Sequence, residues 1–366
     1  MSSSFPESSV SAGPVEADAS REAEAAAPRG RRWTRWIWTV LQVAVTAALL
    51  VWIFHDAELR TQMGRTLRRA EIGWLLVGTG LGAVWLVTAA YRWQIFLRVQ
   101  GVRFEFWRTG CIYLIAQFFT LFLPGAVSGD AVCVVYLFRE RPKQKTAVLL
   151  SVMMDHLAGL LTMMVTAVAI IWWRADWFAR SPITEGTMYG LVIFLVGSVL
   201  GLAISLLMTQ TRFVYWIPKI FPFRKQMIDF AHAFGLFLRE WRWSLRGVGV
   251  SFVMLYAYFG TFYCASRAFG ASTTLADIYS LMPIVDALTA LPVTVSGLGV
   301  REKLFETMLR PLAGVPTDVA LLISLGGFGV SKVWYLGGAI VFPLYRPATH
   351  EPRQHLGEVV REAGQV

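Results

Sequence analysis

Uncharged apolar runs alternate with short basic clusters along this chain, and the length of the runs sets the first expectation. Trp36–Phe54, Ile72–Ala90, Leu157–Trp173, Met188–Met208, Gly247–Ser266 and Val319–Phe342 each approach the roughly 20 residues that cross a hydrocarbon core. They predict an all-α, polytopic membrane bundle with about six full spans. Residues 1–35, rich in Ser, Ala, Glu and Pro and ending in Arg29, Arg31, Arg32 and Arg35, read as a disordered tail with a basic flank. The first run is longer than the roughly 7–15 apolar residues of a secretory leader and lies far from Met1, so it is expected to remain as a span.

Two apolar stretches break this pattern. Residues 109–137 contain Leu-Pro-Gly-Ala-Val-Ser-Gly-Asp at Leu123–Asp130, and residues 278–300 contain Leu-Pro-Val-Thr-Val-Ser-Gly-Leu-Gly-Val at Leu291–Val300. Proline removes a helical hydrogen bond and glycine loosens the backbone. Pro124, Gly125, Ser128 and Gly129 therefore mark one break, and Pro292, Ser296, Gly297 and Gly299 the other. Aligned without gaps, the two motifs agree in Leu, Pro, Val, Ser, Gly and the last Val, which points to an internal repeat. If both stretches are re-entrant hairpins, the larger share of Lys and Arg falls on the side of the N-terminus; if both cross, the bias largely disappears. The charge pattern thus predicts hairpins. With three spans between them they enter from opposite faces, the inverted repeat of a transporter with a site near mid-membrane. The segment 55–71 runs against the bias, with four Arg on the outer side.

Composition refines this picture. The net charge of +10 sits in clusters beside apolar runs rather than in a basic domain, so lipid headgroups rather than nucleic acid are the expected counter-ions. Trp33, Trp36, Trp38, Trp172, Trp173 and Trp177 flank spans, where interfacial rings collect. Gly78 with Gly82, and Gly197 with Gly201, are expected at close helix contacts. Residues 224–242 carry Met227, Phe230, Phe234, Phe237 or Leu238, and Trp241 at helical spacing between charges, and read as an interfacial helix. Cys111, Cys133 and Cys264 lie in apolar surroundings and are expected to be buried free thiols.

Charges inside apolar runs carry the candidate chemistry, because each costs roughly 2.5–3.5 kcal/mol at mid-bilayer on insertion scales. They are Lys332, Asp155, His156, Asp130, Asp286, Arg301 and Glu302. One reading pairs them structurally, for example Lys332 with Asp286. The other makes Lys332 and Arg301 an attractor for a lipid phosphate, with Asp155 or Asp130 as counter-ion or proton carrier. Neighbouring positions on a helix point about 100° apart, so Asp155 and His156 are not expected to form a dyad. There is no G-x-x-x-x-G-K-[ST], H-E-x-x-H or G-x-S-x-G. No catalytic residue, metal site or cofactor is expected, and any transport is expected to be passive, ion-driven or partner-driven.

At Arg92-Trp93, Leu123-Pro124-Gly125…Gly129-Asp130, Asp155…Gly159-Leu160 and Leu291-Pro292…Ser296-Gly297-Leu298-Gly299-Val300-Arg301-Glu302, the chain resembles the flippase-like transmembrane domain of lysylphosphatidylglycerol synthases. The resemblance covers roughly 36–345, leaving 346–366 as a cytoplasmic tail. It implies a protein that moves a phospholipid or lipid-linked headgroup between leaflets of the inner membrane, with both termini cytoplasmic. The chain ends at Val366, so the resemblance implies a stand-alone member without the soluble domain that transfers the aminoacyl group. Its partners are then anionic or polyprenyl-linked lipids. The alternatives are a non-transporting partner of a glycosyltransferase or lipid synthase, and an integral-membrane transferase. Two positions depart from the family pattern: Ser128-Gly129-Asp130 is followed by Cys133 where an Arg is usual, and His156 stands where an Arg commonly follows the acidic residue.

Overall fold

The computed structural model describes residues 29–121, 128–210, 235–289, 294 and 297–346. In chain order they form α1 (Arg29–Phe54), α2 (Ala57–Arg68), α3 (Ile72–Val99), α4 (Phe106–Thr120), α5 (Ser128–Glu140), α6 (Lys145–Phe178), α7 (Pro182–Gln210), α8 (Trp241–Ala268), α9 (Leu275–Thr289), α10 (Val300–Ala313), α11 (Thr317–Lys332), a 3-10 turn at Val333–Leu336, and α12 (Gly337–Leu344). The protein is a polytopic helical bundle. Among the described residues α3, α6, α8 and the run Thr317–Leu344 are long and apolar enough to cross a membrane, and α1 with α2 makes a bent fifth candidate. The outer surface is apolar, with Ile72, Leu76, Val87, Ile193 and Val199 all exposed, the inverse of a water-soluble exterior and the surface that acyl chains cover.

Several elements depart from the sequence expectation for identifiable reasons. The basic flank at Arg29 to Arg35 is helical and opens α1 instead of ending a tail. The segment 55–71 is largely helical. After α1 the chain bends by 82° into α2, whose N-terminus is capped by the Asp56 carboxylate accepting from the backbone N–H of Glu58 at 2.8 Å. Met63 is buried while Arg60, Arg65, Arg68 and Arg69 are exposed. An amphipathic helix lying across the end of a span places its arginines among headgroups, which accounts for the charges that ran against the bias. Thr66 ties this helix to the body by donating to Asp318 at 2.9 Å.

Of the second amphipathic segment, residues 224–234 lie outside the described residues. Residues 235–239 are helical and Trp241 already belongs to α8. Phe237 is the inward residue, buried against Phe96 at 6.1 Å between ring centroids, and Leu238 is exposed.

The long helices α3 and α8 form the central seam and run antiparallel. Glu71 N–H donates to Ala268 C=O at 2.9 Å at one end. A Cβ on Gly78 would lie 3.2 Å from Cys264 Cβ, and Arg92 donates to Ser251 at 3.0 Å further along. Ala89, Ala90, Ser251, Ala257 and Ala265 are buried and let the two backbones approach. Gly78 and Gly82 act as expected, a Cβ on Gly82 meeting Val330 C=O at 2.8 Å. Gly197 and Gly201 do not: among the described residues a Cβ on either would meet nothing within 4 Å, because that part of α7 sits at the exposed periphery.

The sequence repeat is also a repeat of elements. α3 and α8 each have 28 residues, α4 and α9 each have 15, and α5 and α10 have 13 and 14. α4 and α5 fold back on each other as a hairpin. At its tip a Cβ on Gly129 would meet Thr120 Oγ1, and at its base Arg108 pairs with Glu140 at 3.5 Å. α9 and α10 pack in the same way, with Gly297 against Thr289 at the end of α9. Helices of 13 to 15 residues are about 20–23 Å long, short of the roughly 30 Å hydrocarbon core. Each hairpin starts from the C-terminal end of its long helix. Since α3 and α8 run in opposite directions, the two hairpins enter from opposite ends of the bundle, which is an inverted repeat.

Candidate functional site

The sequence candidates fall into two clusters, one at each hairpin. Pro124, Gly125, Pro292 and Ser296 lie outside the described residues. Ser128 and Gly129 open α5. Gly297 and Gly299 have φ of 72° and 86°, a left-handed geometry that glycine adopts without steric cost, so the second break is written into backbone conformation.

In the first cluster Asp155 is not a free counter-ion. Its carboxylate accepts two hydrogen bonds from Arg92, at 2.7 Å from Nε and 2.6 Å from Nη2, a bidentate pair at the α3–α6 contact. Arg92 Nη1 reaches Ser251 on α8, so one guanidinium joins three helices. The apolar run read from the sequence ends at Ala90, before this cation, but α3 continues to Val99. The continued apolar pattern at Trp93, Ile95, Phe96 and Leu97, all buried, was the signal that could have placed Arg92 inside a span. His156 points elsewhere, as expected from the helical angle. Its Nε2 lies 3.3 Å from Asp130 Oδ2, with side chains 58% and 34% exposed, and its Nδ1 lies 2.9 Å from Val152 C=O.

The second cluster surrounds α10. Glu302 is fully buried and its carboxylate is committed: Oε2 accepts from Gly299 N–H at 2.5 Å and Oε1 from Ser324 at 2.9 Å. It thereby caps the first turn of α10, where anionic charge is favoured. Arg301 is 3% exposed, lies 3.8 Å over the Phe328 ring, and approaches Glu302 at 3.6 Å through Nε. Among the described residues its Nε and Nη2 have no hydrogen-bond partner. A buried guanidinium with unused donors is costly and marks a place where an acceptor is wanted.

Lys332 completes this cluster. Its ammonium donates to Tyr335 Oη at 2.7 Å and lies 4.5 Å from the Tyr335 ring, 4.6 Å from Trp85, 5.7 Å from Phe328 and 5.8 Å from Tyr258. These faces form an aromatic cage for a cation. The span expected at Val319–Phe342 is not a uniform helix: it tightens to a 3-10 turn at Val333–Leu336, directly after Lys332, and Trp334 anchors the turn by donating to Thr79 C=O at 2.8 Å. The structural alternative that paired Lys332 with Asp286 finds no such ion pair among the described residues. Asp286 is near enough to feel both Lys332 and Arg301, yet among the described residues its carboxylate makes no ion pair. The cage residues and Arg92 are what sequence reasoning missed.

Other expectations are settled more simply. The three cysteines are buried and free. Trp172 and Trp173 are exposed at the end of α6, but Trp177 is buried under Arg174, which leaves helical geometry and reaches Asp277 at 2.5 Å. A half-open cavity of about 300 Å³ between Arg108 and Arg346 lies at the base of the first hairpin, apart from both clusters.

A family model described as the lysylphosphatidylglycerol synthase TM region matches residues 39–337. No curated protein matches the chain.

Proposed function

The chain belongs to the lysylphosphatidylglycerol synthase transmembrane-region family, and from this membership and the second cluster we propose that it translocates an anionic phospholipid or lipid-linked headgroup between leaflets. The observation that carries the reading is Arg301, 3% exposed with two nitrogens that find no partner among the described residues, beside the ammonium of Lys332 at a broken helix. Arg301 in the first turn of α10 and Lys332 at the end of α11, two cations close to one another, make a receptor for a phosphate oxyanion. The opposed hairpins supply two related gates to it. In this reading both termini lie at the cytoplasmic face of the inner membrane, the side that the basic clusters favour, the charged clusters do no covalent chemistry, and Lys332 sits in its aromatic cage when the site is empty.

Purified protein reconstituted into liposomes with a head-labelled phosphatidylglycerol tests this. The labelled lipid in the inner leaflet becomes reachable by an external quencher faster than in empty vesicles, and Arg301→Gln slows the exchange at least about tenfold, the loss of roughly one charge-assisted hydrogen bond. Rates equal to empty vesicles for phosphatidylglycerol and for a polyprenyl-linked lipid alike would overturn the reading.

A further inference from the structure

The base of the first hairpin holds a cavity that neither charged cluster uses. Its volume of about 300 Å³ is at the low end of the roughly 300–1,000 Å³ that ligand pockets span. The first turns of α4 and the end of α12 wall it. α12 runs back along α4, close enough that a Cβ on Gly338 would meet Leu114 C=O at 2.5 Å. Val341 and Leu344 thereby come to line the cavity together with Trp107 and Cys111, and Arg108 and Arg346 line it as well.

The charges around it do not balance. Buried Glu140 on α5 is shared: one oxygen accepts from the Tyr345 hydroxyl, and the other lies 3.5 Å from Arg108, longer than an ordinary charge-assisted hydrogen bond. Tyr345 is held in turn by Tyr136, at 5.8 Å between ring centroids. Arg346 is exposed and makes no ion pair among the described residues. Two cations against one anion leave a net positive charge. Arg103, Arg141, Lys143 and Lys145 are exposed at the same end of the bundle, against Glu105, so the local field attracts anions. A small soluble anion would use only the arginines and leave Trp107 and Leu344 as bare apolar surface. The ligand that matches both parts of the wall carries a phosphate next to a hydrocarbon chain. An exposed Trp ring at the rim suits the level where headgroup meets chain.

We propose that this cavity holds one anionic glycerophospholipid of the adjoining leaflet as a resident ligand, its phosphate against Arg108 and Arg346 and the upper part of one chain on Val341, Leu344 and Trp107. Arg108 belongs to the first hairpin and Arg346 follows the last described helix. A phosphate shared between them is therefore a clasp that ties the hairpin base to the end of α12. This lipid stays where it is bound, and its site stands whether or not another lipid crosses the membrane at the second cluster.

Photolabelling tests this on the full chain in phosphatidylcholine vesicles, with phosphatidylglycerol carrying a diazirine on its acyl chain and the labelled peptides mapped by mass spectrometry. Label is expected on the stretch from Val341 to Leu344. Excess unlabelled phosphatidylglycerol suppresses it and excess phosphatidylcholine does not. Arg346→Gln lowers it about tenfold, the loss of one charge-assisted hydrogen bond. Its circular dichroism melt stays as in wild type, because Arg346 is exposed beyond the last turn of α12. Arg108→Gln is the second variant, with the same loss of label. Arg301→Gln keeps the label at this cavity, which separates the resident lipid from the proposed translocation path. Equal competition by phosphatidylcholine, or full label in both arginine variants, overturns recognition of the phosphate. Competition by water-soluble glycerophosphoglycerol as strong as by phosphatidylglycerol overturns the chain contact. Loss of label in Arg301→Gln makes the cavity a station of the moving lipid and overturns residence. No label at all, as when residues 347–366 of the chain fill the cavity themselves, overturns the proposal outright.

Discussion

Two ion pairs to an aspartate differ in worth here, because their surroundings differ. Arg92 and Asp155 are 8% and 19% exposed and meet in a bidentate fork, whereas His156 and Asp130 are 58% and 34% exposed. Breaking a buried pair strands a charge and costs roughly 3–5 kcal/mol; an exposed pair is worth at most about 1 kcal/mol. Arg92→Met should therefore lower the thermal midpoint in detergent, followed by circular dichroism, far more than His156→Asn does; equal shifts would refute the distinction. At this scale the sequence was partly legible. Lys332, Arg301 and Glu302 stand out because any charge is conspicuous on an apolar background. Trp85, Tyr258, Phe328 and Tyr335 do not, since an aromatic ring in a span looks like any lipid-facing ring until tertiary packing turns four of them towards one ammonium.

Helices show where periodicity stops being informative. The breaks at the hairpins were legible because Pro and Gly announce them, and Gly297 and Gly299 do take positive φ. The 3-10 turn at Val333–Leu336 was not, because a uniformly apolar run carries no polar marks from which a change in helical pitch could be read. The helix at Ala57–Arg68 was not legible because the four exposed arginines of the segment 55–71 dominate it and Met63 is the helix's one buried residue. The antiparallel register of α3 and α8 can be tested with a cysteine already present. A Cβ at Gly78 sits 3.2 Å from Cys264 Cβ, near the roughly 3.5–4.5 Å that a disulfide spans. Gly78→Cys should crosslink to Cys264 on mild oxidation, so that the two halves stay joined on a denaturing gel after the chain is cut between them. A parallel packing of these helices would leave the fragments separate.

For the molecule as a whole, the charge count and the motif match together anticipated an inverted repeat, and the opposed α3 and α8 give it physical form. Trp107 at the base of the first hairpin and Ser272 at the base of the second are both exposed. As single cysteines, with the three native thiols buried, they should react with an impermeant maleimide from opposite sides, one in intact cells and the other in inverted vesicles. Labelling of both from one side would remove the inversion. The repeat is nevertheless unequal in its chemistry. After the first break Asp130 on α5 meets His156 on α6; after the second, Glu302 on α10 meets Ser324 on α11. Under the proposed translocation, a device whose halves share a skeleton but not their charges has two end states of different free energy. A gap of only about 1.4 kcal/mol parks ten molecules on one side for every one on the other. Such a bias cannot drive cargo uphill. It does decide on which side of the membrane an idle molecule waits, and so which leaflet it samples first.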